Sequence, residues 1–362
     1  MKTSRTPAIH RLFLLFTIVV FNSCIDEVNL TTGGNEPKLV IDGWISNDPD
    51  LSYVKVYYSA PYQSGAFFPL YKQPDVYKIY VEAEKEGTII DFNYIGLTPF
   101  MPVPMYTPWQ SFDFQEGERY RLNILMKDQS HYQSPWQDVA PAPHVSGLDY
   151  ELIEKTVFKH NANGPPIQQN QYFLDIKANI SNTATSEYGY YIKTQGIEEA
   201  VAMSDNEFCS CVCYVSYENV YGKMNVVSSK GFQNPTIQRS IGSIPMNKLF
   251  RFHVNIGVYT LSGPGSEYMV SISDQQNNTG SIFDPAPSKI RGNVINLTNP
   301  GEEVLGNFFT ANYGAYEQIV NRAAFTAIFP HHRFMLELLP KVAATCTEFY
   351  TDGTTIRPIP FR

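Results

Sequence analysis

The sequence predicts a mainly β protein: an N-terminal β-sandwich of immunoglobulin or fibronectin-III type, followed by a larger β-rich domain with one or two short helices. Composition carries part of this. The 24 Tyr and 23 Phe favour pleated, half-buried surfaces, and the 25 Pro and 23 Gly break helices and mark turns. Patterning carries the rest, because short runs of alternating polarity recur with turn residues about every 8–15 positions. With 43% hydrophobic and only 17% charged residues the chain is not a disordered tail. It shows no sustained helical period, which excludes a bundle or coiled coil. A net charge of -8 and a pI near 5.4 argue against a nucleic-acid partner, which calls for a basic face.

At the N-terminus Lys2, Arg5 and Arg11 precede an unbroken apolar run at 12–21 (LFLLFTIVVF). Ten residues of helix are about 15 Å long, roughly half a bilayer core, so the run reads as the core of a signal peptide over 1–23. It ends in Phe21-Asn22-Ser23-Cys24, which resembles the lipobox of bacterial lipoproteins, with cleavage between Ser23 and Cys24 and acylation of the Cys24 thiol. The chain after cleavage starts Cys24-Ile25-Asp26-Glu27, and acidic residues there resemble a surface-export signal. Removing three basic and no acidic residues leaves a net charge near -11. Acyl chains such as palmitate, at about 0.8 kcal/mol per buried CH2, would hold this anionic body in the outer membrane, facing the cell exterior.

Residues 24–37 are polar and Gly-containing, a flexible tether. Strand signals follow at 38–46 and 53–58, separated by Asn47-Asp48-Pro49-Asp50. At 76–83 Tyr77, Ile79, Val81 and Ala83 alternate against Val76, Lys78, Tyr80 and Glu82, and the chain returns at 88–94. Strands at 119–126 and from 131 complete a sandwich over 38–143, ending in the stiff Ala140-Pro141-Ala142-Pro143. The Pro-dense stretch 98–108 lacks ladder donors and is expected as an edge or exposed loop. Phe100, Met101, Tyr106 and Trp109 lie along it as a candidate partner surface, against the alternative of a loop folded on its own sandwich. In the second domain, 144–362, strands are expected at 172–180, 188–194, 225–228 and 249–261. One helix is expected at 266–276, capped by Ser266, and a second at 315–325.

No nucleophile elbow, zincin motif, phosphate-binding loop or dinucleotide fingerprint occurs, and no cofactor is implied. The adjacent His331 and His332 have no third ligand nearby and read as a polar turn rather than a metal site. The remaining cysteines are Cys209, Cys211, Cys213 and Cys346. An exported chain favours disulfides. Neighbours at Cys-x-Cys spacing are awkward partners for each other, so Cys346 is expected to bridge to one of the three. Thiolate coordination of zinc or copper is the rival reading, since alternating cysteines on a strand share a face.

Several stretches together resemble a family of uncharacterised Bacteroidetes outer-membrane lipoproteins, a domain of unknown function often encoded beside TonB-dependent receptors. These are Leu39-Val40-Ile41-Asp42-Gly43, Glu116-Gly117-Glu118-Arg119-Tyr120-Arg121-Leu122 and Tyr132-Gln133-Ser134. The most specific block is Thr279-Gly280-Ser281-Ile282-Phe283-Asp284-Pro285-Ala286-Pro287 with Gly292-Asn293-Val294, continuing into Glu303-Val304-Leu305-Gly306-Asn307-Phe308-Phe309. In the tail, Cys346, Gly353 and Arg357-Pro358-Ile359-Pro360-Phe361 match, but Phe349 stands where the family carries a second Cys and Arg362 where it carries Trp. The first departure favours a bridge from Cys346 to the triad. The resemblance implies a non-catalytic accessory subunit for a TonB-dependent β-barrel receptor. A surface hydrolase with two carboxylates, and an adhesin or envelope scaffold, are the alternatives.

Overall fold

The computed structural model describes residues 37–59, 73–85, 87–98, 101–160, 164–181, 188–220, 222–228, 234–277, 290 and 292–361. The chain is mainly β, as the aromatic and turn-rich composition predicts. Its first strands are β1 (Leu39–Ser46), β2 (Tyr53–Tyr58), β3 (Val76–Ala83), β4 (Ile89–Thr98) and β5 (Met101–Pro108). Then come β6 (Arg119–Met126), β7 (His131–Gln133), β8 (Gln137–Asp138), β9 (Val145–Lys159) and β10 (Ile167–Ser181). They are followed by β11 (Gly189–Val201), β12 (Val212–Tyr217), β13 (Asn225–Ser228), β14 (Thr236–Pro245) and β15 (Arg251–Leu261). Helix α1 (Gly263–Asn277), β16 (Ile295–Asn296), β17 (Phe308–Asn321), α2 (Arg322–Ile328) and β18 (Gly353–Thr354) complete the order.

The strands form one long sheet, β16-β7-β6-β3-β4-β5-β2-β1-β17-β15-β11-β12-β18, and a second sheet, β14-β10-β9. The long sheet curls on itself in its first half. Ile41 and Ile45 of β1 and Val54 and Val56 of β2 meet Ile79, Val81, Phe92, Leu122 and Ile124 in one core, although β1 and β3 lie four places apart in the sheet. Val294, Val304 and Phe308 join this core from far along the chain. In the second half, Leu174, Ile176, Ile180, Ile237 and Ile244 of the smaller sheet pack on Ile192, Val254, Ile256 and Val320 of the larger. β15 is buried on both faces towards its end, as its near-continuous apolar run requires.

β17 joins the two halves. It runs parallel to β1 from Phe308 and antiparallel to β15 as far as Asn321, so Phe308 serves the first core and Val320 the second. The segment expected as a stiff connection lies along this strand: Asn312 Nδ2 donates to the Ala140 carbonyl at 2.9 Å.

Four expectations are corrected. Within 98–108, the residues of β5 are neither edge nor loop, because β5 lies between β4 and β2. The register with β4 shifts twice along this strand, and Pro102 and Pro104 fall inside the second shift, between Met101 opposite Thr98 and Met105 opposite Gly96, a bulged position where a missing donor is tolerated. The ladder to β2 is short, with Val54 opposite Tyr106 and Lys55 opposite Met105. The helix expected at 315–325 is a strand as far as Asn321 and helical only from Arg322, because pairing with β15 overrides local propensity. The third concerns the cysteines, below. The fourth is a cap: the helix expected at 266–276 is present as α1, but it begins at Gly263, and the Ser266 N–H bonds back to the Ser262 carbonyl, so Ser266 lies inside the first turn instead of capping it.

Candidate functional site

Ser23, Cys24 and Phe100 lie outside the described residues. Of the other residues on the Pro-dense stretch, Met101 opens β5. Tyr106 is half-buried and packs against Tyr94 with ring centroids 5.5 Å apart. Trp109 is 75% exposed and its N–H donates to the Asp91 carbonyl, which places it beside the outward residues of β4, where Ile89 and Ile95 are also exposed. His331 and His332 follow α2; the His332 ring meets Tyr172 edge-on at 5.2 Å and serves packing.

All four C-terminal-half cysteines are in disulfides, Cys213 with Cys346 and Cys209 with Cys211. The first ties β12 to the tail, as expected. The second corrects the view that Cys-x-Cys neighbours avoid each other. Residues 207–211 form a turn with a single bridge at Ser210, not a strand, so the Cys209 and Cys211 Cα atoms come within 5.1 Å, inside the range a disulfide spans. With both pairs oxidised no thiolate set exists for zinc or copper.

The outward face of β1 and β2 continues onto β17, β15 and β11, and there the tertiary structure assembles a group that no local motif marks. Register sets Asp42 opposite Lys55 and Trp44 opposite Tyr53, and on the other side Trp44 opposite Phe309. Further along, Tyr191, Tyr259 and Tyr313 stand side by side on β11, β15 and β17. The Trp44 ring lies 5.1 Å from Tyr53, 5.4 Å from Tyr259 and 5.5 Å from Phe309, spacings at which tilted rings attract. Tyr268, Met269 and Ile272 of α1 pack against the same cluster. Gly257, opposite Lys193, has no side chain, which leaves room for the Tyr313 ring.

Two lysines border this aromatic floor. Lys193 Nζ sits 5.6 Å from the Tyr259 ring centre and 5.8 Å from those of Trp44 and Tyr191. Lys55 Nζ lies 4.6 Å from the Tyr53 ring. Although Lys193 counts among the exposed residues of β11, the rings displace enough water from its ammonium to hold its pKa below the usual lysine range, and Lys55 adds repulsion. Burial likewise pushes the Asp42 carboxyl up, against the pull of Lys55. A cavity of about 370 Å3 opens beside Lys193, with Gln195, Glu218, Asn219, Lys223 and Gln276 on its walls. That is the size of a small-molecule site with a polar lining.

A second polar group is internally satisfied. The fully buried Arg322 donates to the carbonyls of Phe250 at 2.9 Å and Pro245 at 3.1 Å and to Glu198 Oε1 at 2.5 Å. Tyr217 gives its hydroxyl proton to Glu198 Oε2 at 2.9 Å. This arrangement fixes the start of α2 under β11. Sequence reading missed both groups. Tyr191 and Lys193, two apart on a strand, signal a shared face, but nothing local says which rings flank it.

Fold and site together define a mainly β protein with an aromatic, lysine-bordered sheet face. The chain belongs to the family described as Domain of unknown function (DUF4249), whose model matches residues 25–317. No curated protein matches the chain.

Proposed function

We propose that this protein is a surface-facing outer-membrane lipoprotein that acts as a non-catalytic binding subunit for a TonB-dependent nutrient receptor. The observation that carries the reading is the ten-residue apolar core ending at Ser23-Cys24, which suits lipidation at Cys24 and leaves an anionic β body on a polar tether. Trp109, with the exposed Ile89 and Ile95 on the outward face of β4, supplies an apolar surface suited to a protein partner. The aromatic and lysine-bordered face supplies a separate surface for a ligand.

The test is fractionation and co-purification. Cys24→Ala is expected to move the protein out of the membrane fraction. The tagged wild type, extracted in mild detergent, is expected to bring a β-barrel receptor with it, and Trp109→Ala to reduce that yield. A wild-type protein that runs alone, or a Cys24→Ala variant that stays in the membrane, overturns the reading.

A further inference from the structure

We propose that the face between Lys55 and Lys193 binds an oxyanion carried on a ring that stacks on aromatic side chains, deepening the binding-subunit reading on which it rests. The chain has 35 acidic residues against 27 basic ones, and Lys38, Lys78, Lys127, Lys159 and Lys177 each pair with a carboxylate. Lys55 and Lys193 do not: among the described residues neither meets a carboxylate within ion-pair distance, and each leans on aromatic rings instead. Asp42 is the register partner of Lys55, and its burial makes it a poor counter-ion; Glu218 lines the cavity beside Lys193 without forming an ion pair with it. Two neighbouring cations repel each other. Ring quadrupoles offset only part of that cost, whereas a ligand oxyanion between them would remove it.

The rings define the rest of the ligand. Trp44 and Tyr259 are buried as a floor, while Tyr53 and Tyr191 keep part of their surface open, an aromatic setting that suits a planar or pyranose ring. The adjoining cavity of about 370 Å3 carries amide side chains at Gln195, Asn219 and Gln276, which suit hydroxyl groups. The ligand chemistry is therefore a carboxylate on a ring that stacks on aromatic side chains, met either in an acidic sugar or in an aromatic acid.

Titration calorimetry on the detergent-extracted full chain at low salt tests this, with trigalacturonate and 4-hydroxybenzoate as probes and maltotriose as the uncharged control. At least one anion is expected to bind and maltotriose not, and whichever anion binds identifies the source. Lys193→Met and Lys55→Met should each weaken binding about tenfold at unchanged melting temperature, while Lys193→Arg retains it. Binding of neither anion at millimolar concentration, equal binding of the uncharged sugar, or lysine variants that bind like the wild type would overturn the site. Receptor co-purification scores the wider reading separately. A receptor without anion binding rejects only the site, and anion binding without a receptor rejects only the partner.

Discussion

Asp42 shows most directly how one residue reports its surroundings. Burial raises its pKa and Lys55 lowers it, with burial the larger cause. A carboxyl whose folded pKa lies above its unfolded value favours the folded state while protonated, and that contribution is lost as pH rises through the folded pKa. Asp42→Asn is therefore expected to melt higher than the wild type at pH 7, with the difference vanishing as pH falls below about 4. Equal or lower melting of the variant at pH 7 would contradict the assigned burial. Glu198 is buried as well, and is held by hydrogen bonds from Arg322 and Tyr217. Removing one member of such a pair costs about 3–5 kcal/mol, because the other charge is left in a poor solvent for it. Urea unfolding should show that loss for Glu198→Gln, and a smaller one for Glu198→Gln combined with Arg322→Met.

At the scale of elements, the block around 292–308 acts on β1. Leu305 and Asn307 continue the parallel pairing, accepting from the N–H groups of Ile41 and Gly43. Asn293 copies a backbone group, donating to the Phe308 carbonyl and accepting from its N–H. Gly306 has φ +85°, and a Cβ there would land on the Ile41 carbonyl oxygen. Both reasons demand glycine. Gly306→Ala is expected to cost about 2 kcal/mol or more in chemical denaturation, and wild-type stability in that variant would refute the close approach. The tail depends on a different device. Cys346 closes a loop of sequence separation 133 to Cys213. Cys346→Ser should lose on the order of 2–4 kcal/mol. A free thiol at Cys346 in the native protein would rule the bridge out.

For the whole molecule, β17 decides how the halves behave. Because one strand supplies Phe308 to the first core and Val320 to the second, neither core can open at that strand without disturbing the other's edge. Calorimetry of residues 24–362 is accordingly expected to give a single transition. Two separated transitions would mean that each half folds without this strand. The same strand, beside β1 and β15, lays Trp44 and the tyrosines into one face, so this aromatic face exists only when both halves are in place.

Much of the strand list was legible in the sequence. Alternation at 76–83 and 119–126 places Ile79, Val81, Leu122 and Ile124 inward, where they lie fully buried. The apolar spacing of Tyr268, Met269 and Ile272 marks the helix observed as α1, although it begins at Gly263 and not at Ser266. The errors fall where a neighbour outweighs local preference. β5 tolerates Pro102 and Pro104 because its register with β4 is bulged there, residues 315–321 are strand because β15 pairs with them, and Cys209 meets Cys211 because the chain turns there. Side-chain period and turn chemistry act within a few residues, so the sequence by itself determined the mainly β class, most strands and the Cys346 bridge to the triad. Which strands become neighbours is decided by burial summed over distant segments. Only the tertiary structure therefore decided that β17 threads both cores and that Lys55 and Lys193, 138 positions apart, border one aromatic floor.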